Sequence, residues 1–253
     1  MRRRLAIVKG FDPATSFGPE VAARYDDTPR GDEAETVSLL AHLARGGPAL
    51  ELAIGTGRIA LPLAARSLRV DGIELSPAMV ERLRDKPGGA DIPVTMGDMS
   101  TTTVAGRYRL VYLVYNTIFN LLSQDDQVRC FENAAQHLTD DGVFLVEAGV
   151  PQAWSRQPDS VRPEHVGKDT VVLDVCHYDP VSQLLDENHV ELSSDGIRFG
   201  PIVCRLIWPG EMDLMARIAG LRLLDRWGGW EREPFTAASV RHVSVYARPT
   251  PRG

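Results

Sequence analysis

Strand-like and helical segments alternate through the first 150 of the 253 residues, and no other feature limits the possible folds as strongly. The strand-like segments are short and rich in Val, Ile and Leu, and they lie at 49–54, 68–75, 92–99, 108–117 and 143–150. The fourth, YRLVYLVYNT, is almost continuously apolar, as a strand buried on both faces should be. Such segments, joined by helices, are typical of a doubly wound α/β fold with a mostly parallel sheet.

The connecting segments carry residues that start and stop helices. Ser76-Pro77 predicts a helix with Ser76 as its N-cap and Pro77 in its first turn. An earlier helix is predicted over 32–44, where apolar residues recur at helical spacing before a Gly-Gly stop. Further helices are expected at 58–66 and within 123–142, the second ending at a polar turn.

In the later half of the chain the pattern changes to three consecutive strand-like segments without helices between them. Turn residues at Asp179-Pro180 and Asp195-Gly196 separate the segments, which predicts an antiparallel three-stranded insertion after the fifth strand. A helix that stops at Gly220 follows, and then a closing pair of strands. Together with the first five strands, this pair predicts a Rossmann-like sheet of seven strands.

Two glycines separate the first strand from the next helix, in the stretch LELAIGTGRIALPLA at 50–64. Gly55 and Gly57 lack a Cβ, so the backbone there can approach a ligand closely, and the helix directs its positive N-terminus to the same place. The second strand ends in Glu74, 19 positions after Gly55, where a carboxylate can accept hydrogen bonds from both hydroxyls of a ribose. The spacing predicts a nucleotide site, and the glycines alone do not distinguish a dinucleotide from other nucleotides.

Three features favour an adenosyl group that carries an amino acid over a dinucleotide. Glu51 stands in the first strand, where a carboxylate suits a cationic head group and repels a pyrophosphate. Asp98 follows the third strand in GDMS and can accept a hydrogen bond from an adenine amino group. The third feature is that no cluster of Arg or Lys lies beside these segments to bind phosphate.

The overall charge, the apolar segments and the cysteines argue against several other classes of protein. The net charge of −6 builds no broad cationic field, so nucleic acid is not an expected partner. No stretch approaches the ~18 apolar residues of a membrane span, and the basic start MRRRLAIVKG has too short an apolar run for a signal peptide. The three cysteines are scattered without metal spacing, so we expect buried thiols, no metal and a cytoplasmic protein.

At these residues the chain resembles the class I S-adenosylmethionine-dependent methyltransferases. LELAIGTGRIALPLA is similar to their motif I, VDGIELSPAMVERLR to motif II, VTMGDMS to motif III and YRLVYLVYNTIFNLLSQDDQ to motif IV. The motifs occur in the family's order and spacing, over about Tyr25 to Gly149. Within the superfamily the chain is similar to actinobacterial small-molecule methyltransferases, among them amino-sugar N,N-dimethyltransferases and linaridin N-terminal methyltransferases.

The resemblance implies S-adenosyl-L-methionine as the cofactor, S-adenosyl-L-homocysteine as the product, and site residues from each motif. The implied cofactor-binding residues are Glu51, Ala53, Gly55, Gly57, Glu74, Leu75, Asp98, Met99 and Asn116. The implied catalytic residues are Asn116 and Tyr25, which lies in the lid motif RYDD. The residues expected to shape the acceptor pocket are Tyr115, Phe119, Asn120, Glu147 and His177. Motif I commonly has Gly where Ala53 stands, and we expect the alanine to shift the loop slightly.

The predicted chain divides into four parts, with little order expected over residues 1–20. These parts are an N-terminal lid with helices at 1–45, the cofactor-binding core at 46–150, the insertion at 151–209 and a C-terminal helix with closing strands at 210–253. The insertion follows a carboxyl-end loop of the sheet, so it should determine acceptor specificity. Its surface could also pair subunits into a homodimer.

The resulting prediction is an enzyme that transfers a methyl group to a nitrogen or oxygen of a small-molecule acceptor by in-line displacement. The sequence offers no convincing His–acid pair as a base, which favours an amine over an unactivated alcohol. A methyltransferase for peptide N-termini is the first alternative, and an NAD(P)-dependent reductase and a non-catalytic cofactor-binding protein stay open. YNTI stands in place of an NPPY-like segment, which argues against methylation of a flipped base.

Overall fold

The computed structural model describes residues 11–27, 29–155 and 157–249, and the strands within these ranges form two sheets. In chain order the strands are β1 (Ala49–Leu52), β2 (Val70–Glu74), β3 (Val94–Met96), β4 (Tyr108–Leu113), β5 (Leu138–Gly149), β6 (Asp159–Val166), β7 (Thr170–Asp179), β8 (Leu184–Ser193), β9 (Gly196–Arg205), β10 (Arg222–Trp227) and β11 (Arg241–Ala247). The helices are α1 (Pro13–Ser16), α2 (Pro19–Arg24), α3 (Glu33–Ala44), α4 (Ala60–Ala64), α5 (Pro77–Arg84), α6 (Gln124–His137), α7 (Gln152–Ser155) and α8 (Pro209–Ile218).

The first sheet has the order β10-β11-β5-β4-β1-β2-β3 and is parallel except at β11, which runs antiparallel to both of its neighbours. The strand order reverses between β1 and β4, which leaves a crevice at the carboxyl ends of those strands. Every residue of β1, β2 and β4 is buried, and strands covered on both faces require nearly continuous apolar sequence. The predicted seven-stranded, mostly parallel sheet is confirmed.

Helices cover both faces of this sheet. On one face α3 and α4 pack into a core that includes Leu40 and Leu63. On the other face α6 and α8 contribute Phe131 and Met212 to a second core. The Ser76 hydroxyl accepts a backbone N–H of the first turn of α5 at 3.2 Å, so this residue caps the helix as predicted.

The second sheet corrects the predicted three-stranded insertion. The three predicted strands are present as β7, β8 and β9, and a fourth strand, β6, pairs with β7 at the edge, giving the order β6-β7-β8-β9. The β6 segment DSVRPEHV is mostly exposed, and its pairing is irregular just after Pro163. A proline is tolerated in a strand only at an edge or a bulge, so the sequence of β6 lacks the apolar pattern of an inner strand.

Two other boundaries differ from the predictions. Helix α6 ends at His137 and β5 already begins at Leu138, because the polar turn expected between them is part of an irregular start of the strand beside Tyr108. Residues 11–20, expected to have little order, form α1 and the start of α2, while residues 1–10 lie outside the described ranges.

Buried polar contacts anchor the second sheet to the rest of the chain. Arg205, at the end of β9, pairs with Glu211 of α8 at 2.9 Å and donates to the Gln127 side chain of α6. Gln127 returns a hydrogen bond to the Arg205 carbonyl at 3.0 Å. At the opposite side, Arg24 of α2 pairs with Glu191 of β8 at 3.1 Å. The sheet therefore touches both the core and the N-terminal helices.

Two expectations from composition can be compared with the described residues. Cys130, Cys176 and Cys204 are all buried and form no disulfide, as expected for small apolar side chains. In the described ranges, none of the helices combines the length and the apolar character that a membrane crossing requires.

Ala53 follows β1 with a φ of 59°, in the left-handed region that favours glycine. An L-residue with a Cβ is strained there by roughly 1–2 kcal/mol. The alanine therefore keeps a glycine-like backbone angle and carries the strain in the loop that leads to Gly55.

We predict that Ala53→Gly raises the free energy of unfolding by up to ~1 kcal/mol, because relief of the strain exceeds the extra entropy of glycine in the unfolded chain. Urea denaturation measures the difference. Ala65→Gly is the matched control, since Ala65 is exposed with a φ of −61°, and there the substitution should destabilise. Equal destabilisation by both substitutions would contradict the assignment of strain to Ala53.

Candidate functional site

A cavity of about 240 Å³ opens at the carboxyl ends of β1 to β4. The ends of four strands and the loops after them contribute to its wall. The lining residues there are Gly55 after β1; Glu74, Leu75, Ser76 and Met79 at and after the end of β2; Gly97, Asp98 and Met99 after β3; and Thr117, Asn120, Leu121 and Leu122 after β4. Because parallel strands end at the same edge, residues distant in sequence meet there. The N-terminal segment closes the cavity from the other side.

Glu74 connects two of these loops. Its Oε2 accepts the Gly55 N–H at 2.8 Å, and its Oε1 accepts the N–H groups of Leu75 and Ser76 at 3.0 and 2.8 Å. Burial raises the pKa of the Glu74 carboxyl above its ordinary value, and the three N–H donors oppose this shift. A carboxylate offers about four lone-pair positions, so it can still accept from a hydroxyl in the cavity. This geometry fits the predicted contact with a ribose.

The two glycines of motif I have different structural roles. Gly55 has a φ of 58° and lines the cavity, and a Cβ on it would lie 3.6 Å from Cε of Met79, another lining residue. Gly57 has a φ of 77° and does not line the cavity, and a Cβ on it would lie 2.3 Å from Leu83 Cδ1. Gly57 therefore permits close packing of α5 against the loop, and the structure does not place it at the predicted cofactor contact.

Residues after β2 and β3 shape the part of the cavity expected to hold adenine. Met99, 7% exposed, and Leu75 provide apolar walls, and Asp98 lies beside them. Asp98 Oδ1 accepts the Ser100 N–H at 2.7 Å, which holds the carboxylate in place. An apolar slot with an acceptor at its rim suits a flat ring that carries an amino group.

Glu51 lies beneath the loop rather than in the cavity wall. Its carboxyl is buried, and Oε2 accepts the Tyr112 hydroxyl at 2.8 Å. Burial raises the pKa of Glu51 to about 8, although the Tyr112 hydroxyl and the Arg58 charge oppose the shift. The structure therefore places Glu51 one layer behind Ala53, which does line the cavity.

The N-terminal segment forms a lid over the cavity, which we define as residues 11–27. Tyr25 lines the cavity, and its ring meets Phe17 edge to face at 6.3 Å. Asp26 fixes the lid by accepting from the Thr56 hydroxyl at 2.8 Å and pairing with Lys86 at 2.7 Å. Phe11 and Phe17 also line the cavity and were missed as site residues; their aromatic character in an otherwise small and polar stretch was the available signal.

The turn after β4 contains two consecutive non-glycine residues with left-handed backbone angles, Tyr115 (φ 61°) and Asn116 (φ 59°). Both are held from β5, since Glu147 Oε2 accepts the Tyr115 N–H at 2.5 Å and Asn116 Oδ1 accepts the Gly149 N–H at 2.6 Å. Burial raises the pKa of the Glu147 carboxyl. Backbone strain of this kind costs roughly 1–3 kcal/mol per residue and clusters at functional sites.

The remaining predicted acceptor residues separate into two groups. Asn120 lines the cavity, whereas Tyr115 and Glu147 lie at the strained turn and outside the cavity wall. Asn116, predicted as a cofactor-binding and catalytic residue, also lies outside the cavity wall, and its side-chain oxygen is bonded to Gly149. Phe119 is 1% exposed and packs edge to face on Trp154, so it belongs to the core. His177 lies on the exposed side of the second sheet and is bonded to Asp159 at 2.6 Å, so the structure does not bring it to the cavity.

Comparisons with known proteins agree with this geometry. A family model described as a methyltransferase domain matches residues 49–142. The solved structure of the CcbJ methyltransferase from Streptomyces caelestis is 35% identical, with a TM-score of 0.88, and the match covers 95% of this chain and 100% of that one.

Two curated relatives come from Streptomyces as well. The cypemycin N-terminal methyltransferase of a Streptomyces species is 26% identical over 212 residues, covering 80% of this chain and 84% of the relative. The dTDP-3-amino-3,6-dideoxy-alpha-D-glucopyranose N,N-dimethyltransferase of Streptomyces fradiae is 29% identical over 167 residues, covering 63% of this chain and 62% of the relative.

We predict that Glu74→Ala weakens binding of S-adenosylhomocysteine by ~1–3 kcal/mol, through loss of charge-assisted hydrogen bonds to the ligand and loss of the tie to Gly55. Isothermal titration calorimetry measures the affinity. Glu81→Ala on the exposed side of α5 is the matched control and should bind as the unmodified protein does. Unchanged affinity in Glu74→Ala would show that the ribose lies elsewhere.

A second prediction concerns pH. The folded-state pKa of Glu51 is raised to about 8, so the stability linked to its bound proton is complete below the unfolded pKa and is lost as pH rises through 8. Glu51→Gln cannot lose this proton, so its free energy of unfolding relative to the unmodified protein should rise between about pH 5 and 8, by a few kcal/mol in all. Urea denaturation at several pH values tests this, and a pH-independent difference would contradict it.

Proposed function

The chain belongs to the class I S-adenosylmethionine-dependent methyltransferases, and from this premise we propose that it methylates an amine nitrogen of a small-molecule acceptor. The observation that carries the proposal is the arrangement at the carboxyl edge of the sheet, where a cofactor cavity lined by Gly55, Glu74 and Asp98 adjoins a buried carboxyl, Glu147, at the strained turn after β4. Both curated relatives described above are named for methylation of amines, at a peptide N-terminus and on an amino sugar.

The protein's own residues bind and orient the reactants. We assign Glu74 to the ribose, Asp98 to the adenine, and Gly55 with Ala53 to the backbone that faces the amino-acid end. When bound, the cofactor supplies a methyl group on a sulfonium that is already activated for displacement. Holding an acceptor nitrogen in line at about 3 Å then supplies much of the rate.

The lid and the β4 turn complete the reacting geometry. Tyr25 covers the cavity and excludes water from the reacting groups. The neighbouring Asp26 supports this role, because its contacts with Thr56 and Lys86 hold the lid in place. An amine acceptor must lose one proton for each methyl group that it gains. The carboxyl of Glu147 has a raised pKa and uses only Oε2 for Tyr115, so Oε1 is the atom we assign to receive that proton.

Transfer of isotope-labelled methyl to a panel of amines, each paired with its hydroxyl analogue, tests the proposed function. The panel includes amino sugars, amino acids and short peptides with free N-termini. Label on amines of small molecules and not on their hydroxyl partners is the expected result. Label confined to peptides would support the alternative, a peptide N-terminal methyltransferase, and label on hydroxyls would contradict the proposal.

We predict that Tyr25→Phe keeps kcat/KM within a few-fold, because the ring that closes the cavity remains. Tyr25→Ala should lower kcat/KM by about 10–100-fold, because loss of the ring loosens the positioning of the reactants. Steady-state kinetics with the best acceptor of the panel measure both. A large loss in Tyr25→Phe would show instead that the hydroxyl takes part directly.

A further inference from the structure

Arg30 lies between two tyrosine rings just beyond the lid. Its guanidinium carbon is 4.1 Å from the centroid of the Tyr115 ring and 5.3 Å from the centroid of the Tyr25 ring. Cation–π contacts with both rings favour this position of the guanidinium. The Nε atom of Arg30 is buried and has no hydrogen-bond partner among the described residues.

Among the described residues, the carboxylates near Arg30 pair with other arginines. Arg58, which also faces the Tyr115 ring, pairs with Glu33 at 3.4 Å, and Arg241 pairs with Asp32 at 2.7 Å. Across the described residues Arg30 forms no ion pair, although its backbone N–H donates to Glu33. The Arg30 side chain hydrogen-bonds the Tyr25 hydroxyl, but this neutral group does not offset its charge. A partly buried cation without an anionic partner is costly, and a bound oxyanion would compensate it.

The position of Arg30 indicates which reactant would bring that anion. Tyr25 belongs to the wall of the cofactor cavity, whereas Arg30 and Tyr115 do not. Tyr115 is 40% exposed and Arg30 is partly exposed, so this pair of residues reaches the surface. Below the same turn, the Glu147 carboxyl bonds the Tyr115 N–H at 2.5 Å. A carboxyl and a guanidinium without a carboxylate partner thus flank Tyr115, outside the wall of the cofactor cavity.

We propose that Arg30 binds an oxyanion of the acceptor, a carboxylate or a phosphate, so that the enzyme acts on amines that carry their own anionic group. The guanidinium fork can donate two parallel hydrogen bonds to such a group, and Tyr25 and Tyr115 keep it oriented. The amine end of the acceptor then lies toward Glu147. This inference rests on the proposed amine methylation, and it narrows the substrate class.

The kinetic test compares amines that differ only in the anionic group, such as an amino acid and its amide, in the unmodified enzyme and in Arg30→Gln. The anionic member should have a KM at least about tenfold lower in the unmodified enzyme, and Arg30→Gln should remove most of this preference while changing kcat little. Arg30→Lys should keep part of it, because the charge remains. Arg66→Gln, at an exposed arginine after α4, is the matched control and should keep the preference.

A binding test does not depend on methyl transfer. With S-adenosylhomocysteine bound, inorganic phosphate should raise the melting temperature above that in chloride of equal ionic strength, in the unmodified protein and in Arg66→Gln but not in Arg30→Gln. An equal effect of phosphate on all three proteins would overturn the proposal.

Two further results would overturn it as well. Calorimetry measures the affinity of each variant for S-adenosylhomocysteine. If Arg30→Gln lowers this affinity by as large a factor as it lowers the preference for anionic acceptors, Arg30 binds the cofactor instead. Methylation of amines without any preference for the anionic member would overturn the inference while leaving the proposed function standing. Methylation of no amine, together with phosphate binding at Arg30, would instead contradict the proposed function alone.

Discussion

The Glu74 carboxylate holds the end of β2 against the loop that follows β1, and the remainder of the site is arranged around this contact. Three backbone N–H groups converge on its two oxygens, from Gly55, Leu75 and Ser76. A buried carboxylate is tolerable only with such partners. The same hydrogen bonds orient the loop, so the group that should bind the ribose also shapes the backbone beside it.

The lid depends on the same two segments. Asp26 accepts from Thr56, which follows Gly55, and the Ser76 hydroxyl donates to the Phe17 carbonyl at 2.6 Å. The second sheet supports the lid from outside through the Arg24–Glu191 ion pair. Because exposed ion pairs contribute little individually, the partly buried hydrogen bonds to the cofactor loops are the stronger constraint on lid position.

Buried carboxyls occur along the carboxyl edge of the sheet, with Glu51 in β1, Glu74 at the end of β2 and Glu147 near the end of β5. Burial raises the pKa of all three. Their burial is unfavourable in the protein alone, and it suits an enzyme whose reactants bring hydroxyl groups and positive charge to that edge. The Arg30 guanidinium adds a positive charge near the same site. An acceptor that carries both an amine and an anionic group would require charges of both signs there.

The sequence by itself determined the seven-stranded sheet, the cap at Ser76 and the members of the cavity wall nearest the strand ends, such as Gly55, Glu74 and Asp98. Continuous apolar strands, capping residues and glycines are local signals, and the carboxyl ends of parallel strands must meet at one edge. The tertiary structure alone decided that Gly57 serves helix packing, that Glu51 lies behind the loop and that Phe119 belongs to the core. It also revealed β6, an edge strand without an apolar pattern, and the lack of a carboxylate partner for Arg30 within the described ranges. These properties depend on which side chains approach from segments distant in the sequence. The spacing of residues along the chain does not determine the distances between such segments in the folded protein.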